Sequence, residues 1–135
     1  MTASPSDCPS PAVEAAYGVA DDSVRIAQLL TAGEVVHAMD GVIALVDALG
    51  ALLAHVQSGV HALRNCEPHV RHACVAYADR LDALLSRLHD ALCERDLVGL
   101  ALALEHGVAK ALREYAPFDR VLVPATRTDA VRNAA

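Results

Sequence analysis

Cys66, His69, His72 and Cys74 gather two thiols and two imidazoles into nine residues, and thiolate sulfur with imidazole nitrogen is the donor set that zinc and neighbouring transition metals take. The spacing argues against the full set. On a helix His69 and His72 share a face, Cys74 lies two positions further on and turns away, and Cys66 falls in the preceding turn, so four tetrahedral ligands require a distorted backbone. A second ligand pair has to come from His89 and Cys93, about four and a half helical turns away. The plainer reading makes Cys74 a small core residue and leaves His69 and His72 solvated. Glu34 and His37 have the Glu-x-x-His spacing by which helix bundles hold paired iron ions, but the motif has no second copy. Glu34 is better explained as an acid at a helix start, where the backbone dipole favours it.

Other chemistries leave fainter marks. Ser23, Ser58 and Ser86 fall on predicted helices, and no Gly-x-Ser-x-Gly elbow or glycine-rich phosphate loop occurs. Asp21-Asp22 reads as helix capping, and Asp79 with Asp82 as a solvated helix face. The expectation is a non-enzymatic protein, with no small-molecule substrate identifiable. His55 followed by Gly59 resembles the histidine segment of histidine phosphotransfer domains, which are also helical bundles. The likeness spans five residues, and Ser58 stands where that family carries a lysine beside the glycine, which puts the phosphorylated-histidine role in doubt.

Helices must position these groups. Val35, Met39, Val42, Val46, Leu49, Leu53, Val56, Val60 and Leu63 keep an apolar three-four spacing with no proline from Glu34 to Asn65, which predicts one long helix with a seam facing a bundle. Before it, residues 1–20 are a Ser/Pro-rich lead, expected to be mobile, and a short helix capped at Asp21, Asp22 or Ser23 carries Val24, Ile26, Ala27 and Leu30 to Gly33. After it, the turn Asn65-Cys66-Glu67-Pro68 reopens a helix whose seam is Val70, Cys74, Tyr77, Leu81, Leu84, Leu88 and Ala91. Asp96 caps a last helix with Leu97, Ala101, Leu104, Val108, Ala111 and Tyr115, stopped near Pro117. Residues 118–135 form a tail with a short extended Val121-Leu122-Val123. The predicted fold is all-α: an antiparallel bundle, over residues 21–117, of three long helices plus a short N-terminal one.

Composition agrees and narrows the function. The chain has 135 residues, 54% of them hydrophobic, including 27 alanines, no Trp and one Phe, which suits thin aliphatic layers between closely spaced helices. A formal charge of -6, with one lysine and ten scattered arginines, offers no basic stripe for phosphates, so nucleic acid is not an expected partner. The first twenty-two residues lack a basic start and an apolar core, so a cytoplasmic location with reduced thiols is expected for the four cysteines. The most apolar run, Val42 to Val56, is 15 residues and holds Asp47 and His55, so no membrane span is expected.

One surface stands out. The back of the long helix carries Gly41, Ala44, Ala48, Ala51 and Ala54 with His55, where a solvated helix would carry Glu and Lys. Small residues let another helix approach closely, and three occupants fit: the chain's own first helix or tail, a second copy, or another protein's helix. The segment from Arg95-Asp96-Leu97-Val98 through Leu104-Glu105 to Glu114-Tyr115 resembles the last helix of short uncharacterised bacterial all-helical proteins, a group that brings no activity to transfer. In shape and charge the chain is also similar to small export chaperones such as those of flagellar secretion. The expected function is protein–protein contact, as an adaptor, small chaperone or subunit that self-associates as a homo-oligomer without a cofactor. The alternative is a metal-binding or metal-sensing bundle holding zinc or another transition metal on Cys66, His69, His72 and Cys74.

Overall fold

A short polar cap starts the first helix. Ser10 sits in extended backbone and its hydroxyl accepts from the Val13 N–H at 3.2 Å, while Pro11 takes the first helical position, where its missing N–H is harmless. The computed structural model describes residues 10–63 and 67–134, with side chains described to residue 127. From Ser10 the elements run α1 (Pro11–Thr31), α2 (Val35–Ala62), α3 (Pro68–Cys93), α4 (Leu97–Leu102), a π-helical segment Ala103–Val108, α5 (Ala109–Arg113) and α6 (Ala116–Ala134). The fold is all-α, and no strand occurs among the described residues.

Two expectations about the ends are corrected. Residues 11–20 belong to α1 instead of a mobile lead, because Val13, Ala16 and Ala20 continue the apolar spacing of Ile26, Ala27 and Leu30 and are buried with them. Gly18 does not interrupt the helix: it lies on the exposed side, where a glycine weakens an α-helix by about 1 kcal/mol but meets no neighbour. Residues 116–134 are likewise helical and not an extended tail, with Leu122 fully buried and Pro124 inside the helix. The part of the lead before residue 10 lies outside the described residues.

Helix ends follow capping chemistry. Gly33, at φ 83°, takes the left-handed position after α1, and the Glu34 N–H closes back on the Leu29 carbonyl at 2.9 Å, so α1 and α2 are separate helices. The same closure ends α3, where the Asp96 N–H reaches the Ala91 carbonyl at 2.9 Å, but the left-handed residue is Arg95 at φ 56°. Asp96 then caps α4 by accepting from the Gly99 N–H at 2.9 Å.

α2 is flanked by α1, α3 and α6, while α1 also packs on α4, the π segment and α5. α3 buries Cys74, Tyr77, Leu81, Leu84, Leu88 and Ala91, as its spacing predicts. The buried face of α2 is rotated from the predicted seam: Ala38, Leu45 and Gly59 are buried with Val42, Leu49, Leu53 and Val56, whereas Val35, Met39, Val46 and Val60 are only partly covered. The cause is that α1 and α6 sit on the small-residue side. A Cβ added at Gly41 would lie 2.9 Å from Ile26 of α1, and one at Gly59 would lie 2.8 Å from Leu122 of α6.

Three aromatics lock α6 to the bundle. Tyr77 stacks on Phe118 with ring centroids 4.3 Å apart and donates to the Ala111 carbonyl at 2.6 Å. Tyr115 and Ser10 each donate at 2.7 Å to the buried Asp119 carboxylate, joining the start of α1 to the start of α6. Ser23, fully buried on α1, donates at 2.5 Å to the Leu104 carbonyl in the π segment.

Candidate functional site

Large aliphatic side chains stand exposed on α2 and α4. Val36, Ile43, Val98 and Leu102 are 78%, 65%, 72% and 54% exposed, and Leu97 is 37% exposed. Two surface cavities of about 340 Å³ each flank α4 and share Leu97. One lies between Leu30 and Thr31 of α1 and Val98, Ala101 and Leu102 of α4; the other between Val35 and Met39 of α2, Ala91 and Leu92 of α3, and Leu97 and Leu100 of α4. Val36, Met39 and Ile43 follow each other at helical spacing on α2, and of these Met39 lines the second cavity.

Charges edge this patch. Glu34 precedes Val35, Asp96 precedes Leu97, Glu105 lines the first cavity, and Arg95 lines the second. Arg95 is exposed and makes no ion pair among the described residues, in contrast to Arg80, which pairs with Glu114, and Arg113, which lies 3.6 Å from Asp21. The Arg80 guanidinium holds the Glu114 carboxyl below its usual range.

Helical spacing after Asp96 predicts Leu97 on the buried side of the last helix, whereas the structure exposes it. The structure buries Leu104, Val108, Ala111 and Tyr115 as their spacing predicts and adds Leu100, Ala103 and Leu112, while Ala101 is half-buried, and the π segment between α4 and α5 lets both halves keep a buried face. Gly107, whose added Cβ would lie 2.7 Å from Leu84, brings this segment against α3.

The Ala/Gly face of α2 is a contact face, and α1 of the same chain lies on part of it. Gly41 abuts Ile26, and Ala48 and His55 are half-buried, while Ala44, Ala51 and Ala54 are exposed. Where alanines of the two helices oppose, a cavity of about 320 Å³ remains, walled by Ala12, Ala15, Ala16 and Val19 of α1 and by Ala48, Leu49, Ala51, Leu52 and His55 of α2, with Leu112 of α5. His55 Nε2 is buried without a hydrogen-bond partner.

No protein family, curated protein or solved structure matches this chain.

Among the described residues, the proposed metal ligands His69, His72 and Cys74 are not brought together. Cys74 is 2% exposed in the core, whereas His69 and His72 are exposed and His69 lies 3.2 Å from Glu67. Cys66 lies outside the described residues, and no group of three or more His, Cys, Asp or Glu side chains among the described residues is placed to hold a metal ion. Of the alternative Cys66, His69, His72 and Cys74 site, the three described members do not form a ligand set, because Cys74 packs inward while His69 and His72 are exposed. His89 Nε2 and Cys93 Sγ are 3.6 Å apart on the exposed side of α3 and recruit no third ligand.

The apolar run Val42–Val56 is part of a 28-residue helix, Val35–Ala62, which is long and apolar enough to cross a bilayer by length and composition. The core helix of a soluble protein passes the same test.

Proposed function

We propose that the protein is non-enzymatic and acts by protein–protein contact, as a subunit, adaptor or small chaperone in the cytoplasm, and that its first partner is a second copy of itself. The observation that carries this reading is the exposure of Leu97, Val98 and Leu102 on two adjoining surface cavities, since exposed aliphatic side chains gathered into one patch mark contact sites where scattered ones do not. A second copy suits the patch because its edge carries both charge signs. In a two-fold pairing Arg95, which makes no ion pair among the described residues, meets the carboxylates Glu34, Asp96 or Glu105 of the other copy. The platform in this reading is a bundle of antiparallel neighbours, supported by the short 32–34 connection between α1 and α2. The apolarity of α2 then serves packing on α1, α3 and α6 and contact with the partner, with Asp40 and Asp47 facing water.

The test is a double variant, Val98→Asp with Leu102→Glu. Both side chains are exposed, so the melting temperature of the isolated chain should hold within a few degrees while the dimer dissociates to the monomer mass. A variant that keeps the wild-type mass would overturn the assignment of the patch.

A further inference from the structure

We propose that His89 and Cys93 form an open binding site for a single divalent ion of the zinc class, held by two protein ligands with its remaining positions left to water or an external donor. The two residues stand four apart at the end of α3 and both are exposed, and neither lines the cavities beside α4, so the site is separate from the proposed contact patch. Their donor atoms lie at the separation a metal requires. Ligands at ~2.3 Å for sulfur and ~2.0–2.1 Å for nitrogen, held at the tetrahedral angle of ~109°, are about 3.5 Å apart, and Sγ of Cys93 is 3.6 Å from Nε2 of His89. A thiolate with an imidazole is the donor pair that zinc and its neighbours take.

The surroundings favour a cation over an unaided nucleophile. Cys93 is the last residue of α3, at the negative end of the helix dipole, and the acidic Asp90 and Glu94 flank it in sequence while the last turn carries no Lys or Arg. Arg95 turns instead to the cavity beside α4, and Arg87, two positions before His89, falls on another face. A reactive thiolate needs positive neighbours, whereas a bound divalent ion gains from negative ones. Binding is a proton exchange without redox change: the Sγ–H bond breaks, Sγ and Nε2 each donate a lone pair to the metal, and the thiol proton passes to water. Two protein ligands leave positions open, in contrast to closed structural zinc sites with four. The other described cysteine, Cys74, is 2% exposed and out of reach of an ion from solvent.

The experiment titrates the reduced full-length chain with cobalt(II), whose bond to a thiolate gives a charge-transfer absorption, and then displaces the cobalt with zinc. The expected result is absorption that saturates at one cobalt per chain and persists in a Cys8→Ser, Cys66→Ser double variant. Cys93→Ser should remove it while the helical signal is kept, since the residue is exposed. Loss of a group that only orients a metal ligand costs about 10–100-fold in affinity, so His89→Ala, which removes a ligand, should weaken cobalt at least about tenfold. In NMR spectra zinc should shift the His89 imidazole resonances and leave those of His69 and His72 in place. Absorption that survives Cys93→Ser, or that His89→Ala leaves unchanged, would overturn the site, and so would the absence of thiolate absorption in excess cobalt or zinc shifts at His69 and His72 in place of His89. One cobalt per two chains would make the ion a bridge between copies and overturn the open coordination.

Discussion

Three glycines on α2 receive the same substitution with three different expected signs, because each faces a different neighbour. An alanine in a helix interior is favoured over glycine by about 1 kcal/mol. At Gly50 an added Cβ meets nothing within 4 Å, so Gly50→Ala should realise the whole gain. At Gly41 the Cβ falls 2.9 Å from Cδ1 and Cγ1 of Ile26, buried side-chain atoms that can shift by a few tenths of an ångström without moving the α1 backbone, so gain and steric cost should nearly cancel. At Gly59 it falls 2.8 Å from Leu122 Cδ2 and 3.0 Å from Leu122 Cβ, and that Cβ moves only with the α6 backbone. Overpacking of this kind costs about 1–3 kcal/mol, which outweighs the propensity gain and leaves Gly59→Ala destabilised by about 1–2 kcal/mol. Thermal melting followed by helical circular dichroism resolves these effects, since 1 kcal/mol moves the midpoint of a chain this size by about 3–5 °C. Gly50→Ala should melt higher, Gly41→Ala near the wild type and Gly59→Ala lower. If Gly59→Ala gained as much as Gly50→Ala, α6 would not lie on α2 as described.

Further consequences follow from the caps and the buried polar groups. Arg95→Gly should stabilise the monomer by about 0.5–1 kcal/mol, because the left-handed position disfavours a side chain by ~1–2 kcal/mol and the added freedom of the unfolded chain returns part of it; urea denaturation at low protein concentration measures this. Ser10→Ala removes both the cap on Val13 and a donor to the buried Asp119, and should lower stability by about 1–2 kcal/mol, with amide exchange accelerating first in α1 and α6. Burial raises the pKa of Tyr77, and burial with the Asp119 hydrogen bond raises that of Tyr115. The unfolded phenols ionise near pH 10, so these groups contribute stability below that pH and lose it as pH climbs toward their higher folded values. Tyrosinate absorbance of Tyr77 and Tyr115 should therefore appear together with loss of helical signal above pH 10, and ionisation of both with the helices intact would contradict the described burial.

The all-α fold and the inner face of α3 are legible in the sequence because an apolar residue every three or four positions needs only one partner surface to explain it. α1 was harder to read: Ser10-Pro11 is a cap followed by a first-turn proline, but Gly18 and the surrounding Ser and Pro suggest a break until the burial of Val13, Ala16 and Ala20 is seen. α6 was read as extended from Val121-Leu122-Val123-Pro124, and tertiary contact decides otherwise, since Leu122 fills the gap at Gly59. The Ala/Gly face signalled close helix approach, yet spacing carries no information on which helix approaches. The exposed patch depended on the π segment, and no simple periodicity records a single wide turn.

Self-association through the patch around Leu97 is the proposal most open to a direct test. The direct measurement is the solution mass of the untagged chain by sedimentation equilibrium over a hundredfold range of concentration. The account predicts a reversible rise toward twice the 14.2 kDa chain mass, absent in the Val98→Asp, Leu102→Glu variant. A wild-type mass that stays at 14.2 kDa across the whole range would contradict it.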